Sequence, residues 1–348
     1  MKAAVLRAND DLRYEEYTRP TLSSGEVLIK VKTSGICGSD IPRVLHNGAH
    51  FFPIVLGHEF SGDVVEIYHD VTSVKVSDRV SAAPLLPCHQ CADCQRGDYS
   101  QCGHYSFIGS RVQGSFAEFV KVPERNIIKF NKSVTYEQGA FFEPSSVGLH
   151  GLMRVAYRGG EDVAILGGGT IGLFTAQWAR IFGAKRVFVF DIDDDRLDLA
   201  RRLGADVTVN TLEPNFKQSV MQQTGGRGFS FVYETAGVDV TMKLAFDLAA
   251  NKAGVCFIGT PTKDLLLPPK QLESMLRKEF NLTGSWMSYS APFPGREWEL
   301  TAHYFATGQL KFDKALIFKR FPLSQASEAF ALYKNPSAVK GKVMLAVD

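Results

Sequence analysis

The sequence has no long apolar run, no excess of one charge sign and no internal repeat. No stretch approaches the ~20 apolar residues that a helix needs to cross a bilayer, so we expect no membrane-spanning segment. The 39 basic and 37 acidic residues nearly balance, which argues against a surface for nucleic acid or for anionic lipid. With 45% apolar and 22% charged residues in 348, the composition predicts a globular protein of two domains.

We also expect no signal peptide. The first residues, MKAAVLRANDDLRYEE, turn polar too early for one. Only six cysteines occur, and four of them are clustered in the manner of thiolate ligands, which need a reducing environment. We therefore expect a cytoplasmic protein.

The clustered cysteines predict a bound metal ion. In the segment LPCHQCADCQRGDYSQC they are Cys88, Cys91, Cys94 and Cys102. An iron–sulfur motif would place its fourth cysteine after three residues and before a proline, whereas here seven residues intervene and Gly103 follows. A tetrahedral zinc in a closed four-thiolate cage fits better, and such an ion is structural because no position stays open for a substrate. The alternatives are two short-range disulfides or four inert thiols.

The first part of the chain, to about residue 150, predicts a compact β-rich domain. Alternating residues are separated there by frequent glycine and proline, as in short strands joined by turns. The predicted strands are Glu26–Thr33, Ser61–Ile67, Arg79–Ala82 and Phe116–Val122.

From about residue 161 strands and helices alternate, which predicts a parallel sheet with helices on both faces. The predicted strands are Val163–Leu166, Arg186–Phe190, Val207–Asn210, Phe229–Tyr233, Gly254–Gly259 and Asn281–Thr283, and the predicted helices are Ile171–Phe182, Arg196–Leu203 and Val240–Ala249. The tail from about Trp286 holds a predicted helix, Ser324–Tyr333, and a predicted strand, Lys342–Val347. Its pattern alone assigns it to neither domain.

A glycine turn in the second region predicts a dinucleotide site. Gly167, Gly169 and Gly172 satisfy G-x-G-x-x-G directly after a strand and at the start of a helix. Gly167 permits the turn, Gly172 lets the helix pack on the strand, and the amides at Gly169, Thr170 and Ile171 can approach a pyrophosphate at the helix N-terminus.

Asp191, at the end of the next strand, is placed to accept hydrogen bonds from ribose hydroxyls. Three further acidic residues follow, and they would repel a 2′-phosphate, so we predict NAD rather than NADP: Asp193, Asp194 and Asp195. Arg196 could weaken this repulsion, but we expect it to face outward. A glycine turn without a nucleotide is the alternative.

Three separate segments offer ligands for a second metal. Cys37 lies in SGICGSD, His58 and Glu59 lie in GHEFSG, and Glu143 lies in FFEPSS. Each residue also has an ordinary explanation, since a buried cysteine is usually part of the core and a single histidine or glutamate is usually hydrogen-bonded or solvated. The spacing alone leaves both interpretations open.

The order of GICGSD, GHEFSG, the four-cysteine loop, FEPSSVGLH and GGGTIG resembles the zinc-dependent medium-chain alcohol and polyol dehydrogenases over the full length. The resemblance implies a GroES-like catalytic domain at residues 1–150, a Rossmann NAD-binding domain at 151–285, and a return to the catalytic domain at 286–348. It implies that Cys37 and His58 bind a catalytic zinc, with either Glu143 or Glu59 as the carboxylate ligand. Asp40 resembles the carboxylate that orients the ligating histidine.

Within this family, NGAHFFPIVLGHEFSG, FIGSR and GSWMSYSAPFPGREWE resemble the galactitol-1-phosphate 5-dehydrogenases. Sorbitol-type relatives place a tyrosine six residues after the zinc cysteine, whereas this chain has Arg43, whose guanidinium suits phosphate oxygens. Arg111 is a second candidate for the same anion. Surface or interdomain ion pairs are the alternative role for both.

The resemblance implies that zinc makes a secondary hydroxyl acidic, that Ser39 relays its proton, that Glu59 assists at the metal, and that NAD takes the hydride. Galactitol 1-phosphate would then give tagatose 6-phosphate. The alternatives are an unphosphorylated polyol such as sorbitol or xylitol, threonine, butanediol, or an NAD-binding protein without turnover. The family also implies a homodimer or homotetramer, joined at the edge of the Rossmann sheet.

Overall fold

Segments far apart in sequence fold together in this protein. The computed structural model describes residues 1–46, 48–261 and 263–347. Unit 1 contains Met1–Glu143, Tyr289–Gly308 and Lys314–Asp348, and unit 2 contains Pro144–Ser288 and Gln309–Asp313. From the sequence, these divisions are expected near residues 150 and 285. The sequence does not predict that the short segment 309–313 belongs to unit 2.

The N-terminal part of unit 1 consists of short strands with three brief helices. The strands are β1 (Lys2–Ala8), β2 (Asp11–Glu16), β3 (Glu26–Gly35), β4 (Ile54–Val55), β5 (Glu59–Ile67), β6 (Arg79–Ala82), β7 (Leu85–Leu86), β8 (Ser106–Phe107), β9 (Phe119–Pro123) and β10 (Ile127–Lys129). The helices are α1 (Asp40–Leu45), α2 (Ala92–Arg96) and α3 (Tyr136–Ala140). The four strands predicted here are present, the last of them beginning three residues later than expected.

Unit 2 is a doubly wound parallel sheet. It begins in α4 (Phe142–Met153) and continues through β11 (Asp162–Leu166), α5 (Thr170–Ile181), β12 (Arg186–Asp191), α6 (Asp194–Arg202), β13 (Val207–Asn210), α7 (Phe216–Gln223), β14 (Phe229–Glu234), α8 (Asp239–Leu248), β15 (Ala249–Phe257), α9 (Pro269–Lys278) and β16 (Asn281–Gly284). The strand order is β13-β12-β11-β14-β15-β16, and every pairing is parallel. Val163–Leu166 is fully buried, as expected for a strand covered on both faces.

The tail of the chain completes unit 1. It forms α10 (Arg296–Ala306), β17 (Ile317–Pro322), α11 (Ala326–Ala331) and β18 (Lys342–Ala346). β18 pairs antiparallel with β3 and parallel with β17, so the sheet of unit 1 reads β10-β6-β5-β3-β18-β17, with β9 also on β3. Strands from the two ends of the sequence therefore lie side by side, and β3 is flanked by β5 and β18.

The core of unit 1 includes alternate residues of this central strand. Val27, Ile29 and Val31 of β3 are fully buried, and they belong to a cluster that also contains Phe60 and Val343. This cluster fixes the end of β3, from which the next residues enter the candidate site. In the described residues, no helix is long and apolar enough to cross a bilayer.

Several elements differ from the sequence-based expectation for a physical reason. The hairpin of β1 and β2, the helices α7, α9 and α10, and β17 were not predicted. α9 begins within a Pro-Pro pair, and its apolar residues Leu272, Met275 and Leu276 have helical spacing that was overlooked in the sequence. β15 begins at Ala249 rather than Gly254. Its first half reads as a turn because it contains Asn-Lys-Ala-Gly, and Lys252 does adopt a positive φ of 59°.

Candidate metal centres and nucleotide site

The loop after β7 brings four sulfur atoms into one cluster. The Sγ atoms of Cys88, Cys91, Cys94 and Cys102 all lie within 4.8 Å of one another. The Cys88 and Cys94 sulfurs are 3.9 Å apart, close to the edge of about 3.8 Å that a tetrahedron with Zn–S bonds of about 2.3 Å requires. A disulfide would need about 2.05 Å, and all four cysteines are free. The geometry fits a four-thiolate zinc and does not fit the two-disulfide alternative.

Local backbone amides prepare one of these sulfurs to be a thiolate. The N–H groups of Gln90 and Cys91 donate to Cys88 Sγ at 3.4 and 3.3 Å. These bonds lower the pKa of Cys88 to about 6. Burial raises the pKa of Cys94 to about 12, so without a cation this thiol stays protonated. A bound divalent ion removes that obstacle, because it favours the thiolate form at every ligand.

A second set of ligand atoms meets at the end of β3. Cys37 follows β3, while His58 and Glu59 stand at the start of the neighbouring β5. One ligand atom from each of Cys37, His58 and Glu59 lies within 4.8 Å of the other two. A thiol, an imidazole and a carboxylate are ligands that zinc accepts, and three protein ligands leave a fourth position open for a substrate. This set therefore has the composition of a catalytic zinc site.

Glycine at position 35 makes room for the Glu59 carboxylate. Gly35 pairs with Glu59 on one side and with Met344 of β18 on the other. A Cβ atom at Gly35 would lie 2.5 Å from Glu59 Oε2. Because no side chain intervenes, the Glu59 carboxylate reaches across β3 to Lys342 on β18.

Lys342 is a buried cation beside the metal set, and the sequence analysis missed it. Its Nζ donates to Glu59 Oε1 at 2.7 Å and to the Ile36 carbonyl at 3.3 Å, and it lies 2.6 Å from Glu59 Oε2 outside hydrogen-bond geometry. Burial opposes its charge, but the charges of Glu59 and Cys37 outweigh this and hold the pKa of Lys342 above its usual value. No sequence signal could reveal this pair, because its partners are 283 positions apart.

Asp40 lies where the resemblance places it. Its Oδ1 is 3.6 Å from His58 Nδ1, and its Oδ2 accepts the Cys37 amide N–H at 3.2 Å. The first distance is longer than a hydrogen bond, and Nδ1 has no other partner. Asp40 is fully buried, and burial raises its pKa. It can orient the imidazole after a small approach, and the other ring nitrogen would then serve as the ligand.

Glu143 is close enough to this set to sense its charges. Burial and then the charge of Glu59 raise the pKa of Glu143 to about 7. The group whose ligand atoms converge within 4.8 Å contains Glu59 rather than Glu143. Glu59 is therefore the carboxylate nearer to a ligand position in this structure. The assignment of Glu143 as the third ligand remains a prediction.

The charges in this region favour a bound cation. Burial and the nearby charge of Glu59 raise the pKa values of Cys37, Asp40 and Glu143. Lys342 offsets one negative charge. A divalent ion would offset two more in a place where unpaired buried charge is costly. The buried Nδ1 of His58 and the mixed donor set thus fit zinc.

Ser39 and Arg43 form a chain of contacts that ends at Cys37. Arg43 Nη1 donates to the Ser39 carbonyl at 2.7 Å and to Ser39 Oγ at 2.9 Å, and it lies 3.5 Å from Asp40 Oδ1. Ser39 Oγ donates to Cys37 Sγ at 3.4 Å. Both residues predicted for proton relay and phosphate binding therefore stand directly beside the metal set.

Arg111 lies in the loop after β8. Its guanidinium is 4.4 Å from the centre of the Tyr105 ring, and its Nη2 donates to Tyr105 Oη at 3.4 Å. No carboxylate pairs with Arg111 in the described part of the chain. The alternative of an ion pair is thus not seen for Arg111 among these residues, and its role at an anion stays a prediction.

The glycine turn of unit 2 has the geometry expected of a nucleotide loop. Gly167 has φ of 110°, and a Cβ atom at Gly172 would lie 1.9 Å from the Gly167 carbonyl oxygen. Gly169 is the N-cap of α5 with no side-chain cap, and a Cβ there would meet open space. The amides of Thr170 and Ile171 in the first turn of α5 therefore lack an intrahelical partner and can bind a pyrophosphate.

Asp191 stands at the carboxyl end of β12, next to this turn. Its Oδ2 accepts the Gly168 N–H at 2.6 Å, and its Oδ1 accepts the N–H groups of Ile192 and Asp193 at 2.8 and 3.0 Å. These bonds fix the carboxylate and leave further lone pairs for ribose hydroxyls. The expected outward direction of Arg196 is wrong, since its Nη1 lies 3.8 Å from Asp191 Oδ2. Attraction to the Asp191 carboxylate keeps this side chain partly buried.

Removal of one thiolate tests the four-cysteine site. The wild-type protein should contain two zinc ions per chain, one for each ligand group. The Cys102→Ser variant should contain one. Elemental analysis of the purified proteins measures both values. Cys102→Ser should also lower the melting temperature, because the free energy of binding a structural zinc adds to the free energy of folding.

The matched control is Cys256→Ala, which removes a buried thiol of β15 that belongs to neither metal group. This control should keep two zinc ions. A Cys102→Ser protein that also retains two would contradict the structural zinc site.

Comparison with known proteins adds the family to this geometry. The family model of the alcohol dehydrogenase GroES-like domain matches residues 23–132, and that of the zinc-binding dehydrogenases matches residues 170–303. Galactitol 1-phosphate 5-dehydrogenase of Escherichia coli (strain K12) is 39% identical over 99% of both chains. Sorbitol dehydrogenase of Bacillus subtilis (strain 168) is 29% identical, over 94% of this chain and 92% of the other.

Solved structures agree with the sequence matches. A crystal structure of galactitol-1-phosphate dehydrogenase from Escherichia coli has a TM-score of 0.93 and 38% identity, covering 99% of this chain and 100% of that chain. A putative zinc-binding dehydrogenase from Sinorhizobium meliloti 1021, bound to NADP, has a TM-score of 0.89 and 30% identity, covering 99% and 98%. The predicted α/β fold, with a GroES-like domain and a Rossmann domain, is confirmed. The chain therefore belongs to the zinc-dependent medium-chain alcohol dehydrogenase family and is an oxidoreductase that uses zinc and a nicotinamide nucleotide.

Proposed function

We propose that this enzyme oxidises a secondary hydroxyl of a phosphorylated hexitol, converting galactitol 1-phosphate to tagatose 6-phosphate with NAD as the hydride acceptor. The observation that carries the proposal is Arg43, a guanidinium placed within hydrogen-bond reach of Ser39 and so beside the metal set. Similarity to the Escherichia coli galactitol 1-phosphate 5-dehydrogenase over 99% of both chains supports the same substrate.

Cys37, His58 and a carboxylate of Glu59 or Glu143 would hold the catalytic zinc. When bound, the zinc supplies a Lewis acid for the substrate hydroxyl, and the nicotinamide supplies the hydride acceptor. Lys342 holds the Glu59 carboxylate in place across Gly35. Asp40 accepts the Cys37 amide N–H, and after a small approach it could also orient the His58 ring, so it would support both ligands.

Ser39 is the residue placed to take the proton that the substrate hydroxyl loses. Its hydroxyl has one donor hydrogen and two acceptor lone pairs. In this structure it donates to Cys37 Sγ and accepts one bond from Arg43 Nη1. One lone pair is therefore left for the substrate proton. As Oγ takes this proton, its own hydrogen can turn from Cys37 Sγ to water and leave, because Ser39 is exposed.

Arg43 gives a physical reason to prefer a phosphate ester. Only Nη1 is used in its contacts with Ser39 and Asp40, while a guanidinium carries five N–H donors in a planar fork. The remaining donors can bind two phosphate oxygens, which a tyrosine hydroxyl at this position could not do. An unphosphorylated polyol would leave these donors without a charged partner.

A polyol without phosphate is the second candidate, because sorbitol dehydrogenase of Bacillus subtilis is also similar over most of its length. Threonine and butanediol are further candidate substrates for the same type of oxidation. NAD-binding without turnover is disfavoured, since Cys37, His58 and Glu59 converge as an intact ligand group. The thiolate ligands need reducing conditions, which supports a cytoplasmic location.

We further propose a homodimer formed along β16. This strand is the edge of the parallel sheet, so one row of its backbone groups has no strand partner. Four leucines beside this edge are exposed, at 39% to 80% of their surface: Leu266, Leu272, Leu276 and Leu282. A second copy that pairs its own β16 here would satisfy the edge and cover these side chains. A tetramer would require an additional interface.

The phosphate preference can be measured directly. We expect kcat/KM to be much higher for galactitol 1-phosphate than for galactitol. Arg43→Tyr should reduce this ratio by about 2 kcal/mol of transition-state binding, since a charge-assisted bond to phosphate is lost. Arg13→Tyr, which changes an exposed arginine paired with Asp11, should keep the ratio. Equal efficiency of the wild type with both polyols would refute the phosphate proposal.

The nucleotide preference tests the role of Asp191. Asp191→Asn should weaken NAD binding by about 2 kcal/mol, because a charged acceptor for the ribose hydroxyls is lost. It should weaken NADP binding less, since repulsion of the 2′-phosphate is relieved. The measurement is the Kd of each nucleotide, with Asp198→Asn as an exposed acidic control. An unchanged ratio of the two Kd values would show that Asp191 does not select the nucleotide.

The oligomer can be tested at the β16 edge. Leu276→Glu places a charge among the exposed leucines next to this strand, and we expect it to convert the dimer to a monomer in size-exclusion chromatography with light scattering. Leu212→Glu changes an equally exposed leucine after β13, at the opposite edge of the sheet, and should leave the dimer intact. A monomeric wild type, or a dimer that tolerates Leu276→Glu, would refute this interface.

A further inference from the structure

The strand order of unit 2 reverses between β11 and β14. β12 and β13 lie on one side of β11, and β14, β15 and β16 lie on the other. The glycine turn follows β11, and Asp191 ends β12. A dinucleotide with its pyrophosphate at this turn and its adenosine ribose at Asp191 therefore extends its nicotinamide half past the carboxyl ends of β14 and β15.

Glu234, the last residue of β14, holds the loop that follows this strand. Its side chain is fully buried. Its Oε1 accepts the N–H groups of Ala236 and Gly237, both at 2.9 Å, and the hydroxyl of Thr241 at 2.7 Å. Thr241 lies in the first turn of α8. One carboxylate oxygen thus connects the end of β14, the loop after it and the start of the next helix.

The loop after β15 is bonded to the same residue. The carbonyl of Glu234 accepts the N–H groups of Ile258 and Gly259 at 2.8 and 3.0 Å. A Cβ atom at Gly259 would lie 2.7 Å from Glu234 Oε2 and closer still to the Gly237 nitrogen. The loops after β14 and β15 therefore touch through their backbones, and Glu234 is bonded to both.

The Glu234 carboxyl and the first of these loops depend on each other. Burial raises the pKa of Glu234, while the bonds from Thr241, Ala236 and Gly237 oppose this rise. Oε2 is buried and has no hydrogen-bond partner in the part of the chain that the structure describes. The three donors to Oε1 therefore offset most of the cost of burying this group. Without the carboxyl, the two loop amides would in turn lose their acceptor.

The next residue, Thr235, supports a different part of the nucleotide site. Its Oγ1 donates to the carbonyls of Leu166 and Gly167 at 3.0 and 3.1 Å. A Cβ atom at Gly172 would lie 2.7 Å from the same Oγ1. Thr235 thus braces the glycine turn from the neighbouring strand, whereas Glu234 braces the loops on the other side of it.

We propose that Glu234 is a positioning residue for the nicotinamide half of the nucleotide. Its carboxylate fixes the loop after β14, and through this loop and its own carbonyl it fixes the loop after β15, in the conformation that receives the nicotinamide and its ribose. Thr235 has the corresponding role for the pyrophosphate. Nothing in these roles depends on which polyol is oxidised.

The test measures the Kd of NAD and of ADP for the zinc-loaded protein by isothermal titration calorimetry. ADP contains the adenosine half and both phosphates of NAD, so the ratio of the two Kd values reports on the nicotinamide half. General damage to unit 2 would weaken both ligands and leave the ratio unchanged. The variants are Glu234→Met, Glu234→Gln and Thr235→Val. The control is Glu273→Gln, which changes an exposed glutamate of α9 in the same unit.

Glu234→Met keeps the length of the side chain and removes its acceptor. It should raise the Kd of NAD roughly 10-fold and that of ADP less than about 2-fold, because only the loops at the nicotinamide half lose their bonds. Glu234→Gln keeps an acceptor oxygen, so it should bind NAD within about 3-fold of the wild type. Thr235→Val should raise both Kd values by a similar factor, and Glu273→Gln should match the wild type.

Three results would overturn the proposal. The first is a Glu234→Met protein that binds NAD as the wild type does or that weakens both ligands equally. The second is a Glu234→Gln protein that loses as much NAD affinity as Glu234→Met, since charge rather than hydrogen bonding would then be required. The third is a Thr235→Val protein that weakens NAD alone.

Binding of ADP also shows whether unit 2 of each variant is folded. If Glu234→Met does not fold, the decision passes to Thr241→Val, which removes one of the three donors to Oε1 and nearly keeps the shape of the side chain. Thr241→Val should raise the Kd of NAD by roughly 3-fold, as expected for one neutral hydrogen bond, and leave that of ADP unchanged. An unchanged ratio for Thr241→Val would then overturn the proposal.

Discussion

Buried negative charge at the end of β3 is the constraint on which the site depends. Cys37, Asp40 and Glu143 lie near Glu59, and burial together with the charge of Glu59 raises the pKa values of these three groups. Lys342 neutralises part of this charge through a buried ion pair with Glu59. A divalent cation completes the balance, and its most direct ligands are the groups whose atoms already converge, on Cys37, His58 and Glu59. Metal binding and the fold of unit 1 are therefore coupled.

The order of three strands creates this arrangement. β5, β3 and β18 lie side by side, so a carboxylate on β5 and an ammonium on β18 face each other across β3. They can meet because position 35 on β3 is glycine. The tail of the chain thus contributes a cation to a site whose ligands come from the first part. Ser39 and Arg43, just beyond β3, lie beside the same site.

Features encoded in short stretches of sequence could be predicted, and features that join distant stretches could not. The four-cysteine loop and the glycine turn are local, so their spacing identified them before any fold was known. Cys37, His58 and Glu59 needed the family resemblance, since each alone has an ordinary explanation. Three features depend on tertiary structure: the pair of Glu59 and Lys342, the presence of Glu59 rather than Glu143 in the converging group, and the contact of Arg196 with Asp191. α9 could have been predicted as well, because its residues Leu272, Met275 and Leu276 have helical spacing.

Substrate selection in this account follows from charge placed around a common catalytic core. The relatives that match this chain over most of its length are named for different polyols, and in this chain Arg43 places a positive charge beside Ser39 and the metal set. The central claim is the position of the catalytic metal itself. Anomalous diffraction at the zinc edge, from crystals of the zinc-loaded protein, tests it most directly. One zinc ion should lie inside the four-cysteine loop. The second should be bound by Cys37, His58 and a carboxylate of Glu59 or Glu143. A second ion held by other residues, or Cys37 and His58 pointing away from it, would contradict the account.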